Sequence, residues 1–168
     1  MKTYFHFLIV LMLMQAFSLD SNAQKPTGMK SVMTTVSLRL KPKEDLKATL
    51  DEFVKVHKIK AACIVTCVGS LDVAAIRFAN QQDATIVVGK LEIVSLTGTL
   101  AESGSHLHIS VSDSTGKTTG GHLKEGSLIY TTAEIVLGIL PEVVFTRETD
   151  STFGYKELMI KPAAKFPR

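Results

Sequence analysis

The run His106-Leu107-His108-Ile109-Ser110-Val111-Ser112, the bend Asp113-Ser114-Thr115-Gly116-Lys117 and the return Thr118-Thr119-Gly120-Gly121-His122-Leu123 decide how the rest of the chain is read. The first part alternates cleanly. Leu107, Ile109 and Val111 take one side of an extended chain, and His106, His108, Ser110 and Ser112 take the other, because successive strand side chains point to opposite faces. Ser114-Thr115-Gly116 then reads as a short hairpin loop, with Gly116 at the left-handed position such loops need. Pairing Asp113 with Lys117 sets every partner outward from the bend and puts His108 directly across from His122. Opposed residues have Cβ atoms about 4.5–5.5 Å apart, and His106 stands one pleat repeat from His108, roughly 6.6 Å.

Three of the five histidines of the chain therefore converge on the face turned away from the apolar one. Imidazole nitrogens bind a divalent ion at ~2.0–2.1 Å, and three protein ligands plus water is the usual open arrangement of zinc, which makes zinc the first expectation. Nickel, copper and iron suit the same donors. A bound ion would generate hydroxide or polarise a carbonyl, the chemistry of a hydrolase or lyase. The same residues would also serve an anion site, or stand as three polar side chains on a solvated sheet face. A bulge at Gly120-Gly121 would turn His122 to the other side. Glu92 and Glu134 are acids in apolar strands and the candidates for a supporting role. Arg147 is a third candidate for that role, and it or a Lys would equally neutralise such an acid. There is no G-x-S-x-G elbow, phosphate-binding P-loop or G-x-G-x-x-G motif.

Outward from the hairpin, the chain continues in strand-like segments. Val32 to Leu40 alternates, and Pro42 breaks it and opens a helix. In Glu44 to His57, Leu46, Leu50, Phe53 and Val54 recur at helical spacing, with His57 at the C-terminal end, where a positive charge suits the helix dipole. Ala61 to Val68 reads as a buried strand ending at Gly69-Ser70-Leu71, followed by Val73 to Phe78 as another. Ile86–Val88 and Lys90 to Leu100 continue the β pattern, with Gly98 as a bulge site. Leu128 to Leu140 is a long apolar segment. Its part Ile135 to Leu140 is compatible with helix by composition, but β-branched residues and flanking turn signals favour strand. Val143 to Arg147 and Tyr155 to Ile160 are the last strands.

Residues 1–23 carry a basic start at Lys2, an apolar run from Tyr4 to Phe17 and small residues at Ser21-Asn22-Ala23, the pattern of a signal peptide. The apolar run is short of the roughly 20 residues that span a bilayer. The expectation is an exported chain, periplasmic or secreted, with no stable membrane span after cleavage. Residues 24–31 read as a linker, 32–162 as one domain and 163–168 as a tail. Lys2 and Asp20 cancel, so the formal net charge of +3 survives cleavage, too mild to imply nucleic acid. The two cysteines, Cys63 and Cys67, would have Cα atoms about 13 Å apart in a strand. A disulfide needs less than ~7 Å, so they read as free buried thiols.

Thr35 to Pro162 resembles the plants-and-prokaryotes-conserved (PPC) domain. The stretches that carry the resemblance are Leu40-Lys41-Pro42-Lys43-Glu44-Asp45-Leu46, Gly69-Ser70-Leu71, Glu92 to Leu100, His106 to Ser110, Gly120 to Leu123, Thr131 to Ile135, Arg147 to Asp150 and Gly154 to Leu158. The resemblance implies an α+β domain, a mainly antiparallel β-sheet with one or two helices packed on it, and assembly into trimers. It also carries the family's histidines onto His106, His108 and His122 as metal ligands. In plants the domain accompanies AT-hook motifs, and prokaryotic relatives are often labelled DNA-binding. This chain has no Arg-Gly-Arg-Pro hook and lacks the phosphate-neutralising surface on which DNA affinity depends. Three functions follow in order: a trimeric metal-binding protein with room for a small-molecule ligand, a non-catalytic assembly or binding module, and a DNA-binding protein.

Overall fold

The computed structural model describes residues 28–152 and 154–164. The signal peptide assigned to residues 1–23 lies outside them, as do residues 24–27 of the linker and 165–168 of the tail. The described chain runs β1 (Thr34–Leu40), α1 (Leu46–Val56), β2 (Ala62–Arg77), β3 (Thr85–Ala101), β4 (Gly104–Ser112), β5 (Thr118–Leu123), β6 (Leu128–Ile139), β7 (Val143–Thr149) and β8 (Lys156–Pro162). One α-helix accompanies a mainly antiparallel sheet ordered β1-β6-β2-β3-β4-β5, with β7-β8 as a separate hairpin. Among the described residues no helix is long and apolar enough to cross a membrane.

The sheet curls because β2 is long enough to be shared. One edge of β2 pairs with β3; its other edge pairs with β6 and then, at its far end, with β5 through Ile76–Leu123 and Arg77–His122. Strands β2, β3, β4 and β5 thereby close on one another around the apolar side chains of their inner face. Leu107, Ile109 and Val111 of β4 sit in that core with Ile76, Leu91, Ile93 and Leu123.

Helix α1 covers the same core. Leu46, Leu50 and Val54, one turn apart, are fully or almost fully buried. Its start is fixed by Asp45, whose carboxylate accepts from Ala48 N at 2.9 Å and also from Gly126 N, tying the helix to the loop before β6. Pro42 lies in the turn ahead of the helix rather than at its first residue. His57 closes the helix as its C-cap, stacked on Phe53 with ring centroids 4.2 Å apart.

Two strand pairs expected as separate run through. The segments Ala61 to Val68 and Val73 to Phe78 are one strand, bent where the register shifts between Leu71 and Val73. Gly69, at φ 148°, carries it past β6 at a point where a Cβ would lie 2.1 Å from Thr132 O. Ile86–Val88 and Lys90 to Leu100 likewise join through Gly89. The first half of β2 is not fully buried, since Val65 is 49% and Val68 55% exposed. Both cysteines are free; Cys63 is half-buried, and burial pushes the Cys67 thiol up to about 12.

Asp45→Ala removes a helix cap and a loop tether together. Its unfolding free energy should fall by about 1–2 kcal/mol at unchanged denaturant slope in urea titration. An unchanged midpoint would show that α1 needs no cap.

Candidate metal centre

The hairpin β4–β5 has the expected register. Gly116 adopts φ 82°, Asp113 N donates to Lys117 O at 3.0 Å, and Gly116 N donates to Asp113 O at 3.0 Å. Asp113 also braces the bend by accepting from Thr115 N and Lys117 N, and the Thr115 bonds hold its carboxyl below the usual range. His108 pairs with His122, Ile109 with Gly121 and Ser110 with Gly120, with no shift between them. The glycines therefore host no bulge. Gly121 instead permits a close approach, for a Cβ there would lie 2.8 Å from Arg77 O, where β5 meets β2.

Gly98 is a second close approach rather than a bulge. It pairs in register with Leu107 at φ 140°, and a Cβ would sit 2.0 Å from His106 O. The β3–β4 register shift falls between Ile93 and Ser95. Thr97 and Thr99 consequently stand beside His108 and His106 on the same face.

On that face the three imidazoles meet. Ring centroids are 5.0 Å apart for His106–His108, 5.1 Å for His106–His122 and 5.7 Å for His108–His122. One nitrogen from each lies within 4.8 Å of the others. Nitrogens bound at ~2.0–2.1 Å to one tetrahedral ion are about 3.4 Å apart, so the 3.2 Å between Nε2 of His106 and Nε2 of His108 already fits such an edge. His122 Nδ1 is buried without a hydrogen-bond partner among the described residues. The donor set and the orphaned nitrogen both fit a metal ion.

At His122 and His106 the electrostatics favour the neutral imidazole, the form that ligates. Burial, then Arg77, then the other two histidines push His122 down to about 4. His106 is lowered by burial and by Arg147, against a smaller opposing effect of Glu157. Arg147 reaches the site because the β7–β8 hairpin is pinned to the sheet: Phe145 and Val143 form a small core with Ala61 and Ala101, and Phe145 N donates to Lys60 O at 3.0 Å. Its Nη2 donates to Thr99 Oγ1 at 2.8 Å, and its Nη1 lies 3.5 Å from His106 Nδ1. Of the residues proposed to support the histidines, Arg147 is therefore in place. Glu92 and Glu134 are exposed and line none of the clefts around the histidines. Glu92 pairs with Ser112, two pleat repeats along β4 from His108, and Glu134 lies on β6, beyond β2 and β3 from β4.

Sequence reading missed Arg77 and Glu157. Arg77 stands directly across from His122 only because β2 reaches β5, and Glu157 arrives with the β7–β8 hairpin. A cleft of about 420 Å³ opens beside the histidines, lined by Arg77, His106, His122, Arg147, Lys156 and Glu157 among others.

The family model of the Plants and Prokaryotes Conserved (PCC) domain matches residues 27–141. The chain belongs to this family. This PCC-domain protein is 43% identical over 149 residues to the Bifunctional protein GlmU of Synechococcus sp. (strain JA-2-3B'a(2-13)), covering 88% of this chain and 24% of that protein. The chain thus spans about a quarter of the length of that curated relative. Among solved structures, a hypothetical protein from Salmonella cholerae-suis is 38% identical with a TM-score of 0.80, over 82% of this chain and all of that one. The metal-containing protein AF0104 from Archaeoglobus fulgidus is 24% identical with a TM-score of 0.69, over 80% and 99% of the two chains. A Bacteroides thetaiotaomicron structure, 21% identical with a TM-score of 0.66 over 79% and 96%, is provisionally described as a DNA-binding protein.

The lowered histidines set a pH dependence for the metal-free PCC domain. The unfolded chain takes up protons near the ordinary imidazole value of 6.5, before folded His122 does. Stability is therefore full above pH 6.5 and declines as pH falls from there toward about 4. His122→Gln should flatten the fall in urea midpoint between pH 6.5 and 5, above the carboxylate range. An identical slope in the variant would contradict this assignment.

Proposed function

We propose that this PCC-domain protein binds a divalent metal ion, zinc as first choice, through His106, His108 and His122. The observation that carries the reading is the meeting of three imidazoles from two paired strands, with their nitrogens within 4.8 Å of one another. Such a donor set suits zinc with a position left open. The metal-containing Archaeoglobus protein of the same fold supports it. When bound, the ion would supply Lewis-acid charge and acidify a water. The chain's own residues hold the rings: β3 and β5 fix the strand faces, and Arg147 buttresses His106 from the β7–β8 hairpin.

Assembly as a homotrimer and export to the periplasm or beyond belong to the same proposal. The apolar run Tyr4 to Phe17 ahead of Ser21-Asn22-Ala23 supports export. Self-assembly is supported by Val65, Val68, Ile86, Val88 and Val94, which lie on the neighbouring strands β2 and β3 and are 49–76% exposed. Those same side chains favour a second reading, an assembly module without chemistry whose partner is a further copy of the chain. DNA binding draws on the description of the Bacteroides neighbour, against a net charge of only +3.

Metal analysis of the purified chain should find about one ion per chain, as a three-histidine site requires. His108→Ala should lose the ion while the oligomer survives in light scattering. No metal above background in both native and zinc-supplemented preparations would contradict the proposal. Titration with duplex DNA should show no steep salt dependence. A steep one would return the DNA-binding reading to first place.

A further inference from the structure

We propose that the cleft beside the histidines binds a small organic anion, a carboxylate or a phosphate ester, gripped by Arg77 and Arg147. The proposal deepens the metal-site reading and rests on it only for the additional attraction that a bound cation would supply.

Charge balance carries the argument. Arg77, Arg147 and Lys156 all line the cleft, and Glu157 is its one acidic group. Arg77 and Arg147 are half-buried, and among the described residues neither forms a salt bridge; the ion pairs present join Lys43–Asp72, Lys47–Asp51, Lys60–Glu102 and Lys161–Glu148. A divalent ion on three neutral imidazoles would add two further positive charges and bring no carboxylate. Unbalanced positive charge in a partly desolvated cleft favours an anion, and the planar guanidinium matches a carboxylate or phosphate with two parallel donors.

Geometry places both arginines for that task. Arg77 lies across from His122 on the adjoining strand, with Nη1 donating to Gln81 O at 3.2 Å. Arg147 is steadied from the other side by Thr99 Oγ1 at 2.8 Å. His106 and His122 line the cleft between them, so an anion held there would adjoin the ligating rings. Ser105 lines the same cleft, and its buried hydroxyl has no hydrogen-bond partner among the described residues. The volume of about 420 Å³ is that of a small-molecule site.

The test is calorimetric titration of the full chain with malonate and with inorganic phosphate at fixed ionic strength, zinc-loaded and metal-stripped. At least one probe should bind, and the tighter one identifies the carboxylate or the phosphate as the preferred group. Arg77→Gln should weaken it by about tenfold or more with zinc content unchanged, and Arg147→Gln should weaken it as well. Arg147→Gln also severs the Thr99 contact, so Arg77→Gln, checked by its melting temperature, is the deciding variant. Binding that depends on Arg77 in a chain that takes up no zinc would uphold the anion site and sink the metal reading alone. Zinc uptake with neither probe bound, or with affinity equal in wild type and Arg77→Gln, would overturn the anion site alone.

Discussion

The three-residue bend at Ser114-Thr115-Gly116 is the constraint on which the candidate site depends. Gly116 supplies the left-handed turn, Asp113 closes it with bonds to Thr115 and Lys117, and the ladder outward has no freedom left. Strand side chains alternate with a period of two, so a slip of one residue would send His122 to the core face. The apolar partners enforce the same choice. Leu107, Ile109 and Val111 must be buried, and their burial turns His106 and His108 outward.

Around that hairpin the fold brings positive charge to the histidines and leaves Glu157 as the one acid lining the cleft. Arg77 comes from the end of β2, and Arg147 from a hairpin attached through Val143 and Phe145, with Leu158 packed against them. The consequence is a patch in which His106 and His122 lose their protons more easily than an ordinary imidazole. Such a patch is poor at holding a bare proton and suited to a metal ion accompanied by an anion. Glycine makes the crowding possible. At Gly98 and Gly121 neighbouring backbones come closer than a Cβ would allow, one beside His106 and the other beside Arg77.

How much of this was legible in the sequence depended on distance along the chain. The histidine register, the helix with Leu46, Leu50 and Val54, and the unpaired cysteines all follow from local periodicity, and the structure bears them out. The continuity of β2 and β3 through Gly69 and Gly89 was hidden because glycine reads as a break, whereas here it lets a strand bend without losing its partners. Arg77 was invisible for a different reason: its place beside His122 comes from a closure between β2 and β5 that no local pattern records. Glu92 and Glu134 looked eligible as acids in apolar strands, but strand order sets them elsewhere on the sheet. The family motifs conveyed the domain and its histidines, and the match over residues 27–141 confirms the membership.

Anomalous scattering at the zinc edge from crystals of the zinc-supplemented full chain tests the central claim most directly. The account predicts a single strong peak per chain, within bonding distance of one nitrogen from each of His106, His108 and His122. A structure with no peak there, or with the ion held by other residues while the three rings stay empty, would contradict it.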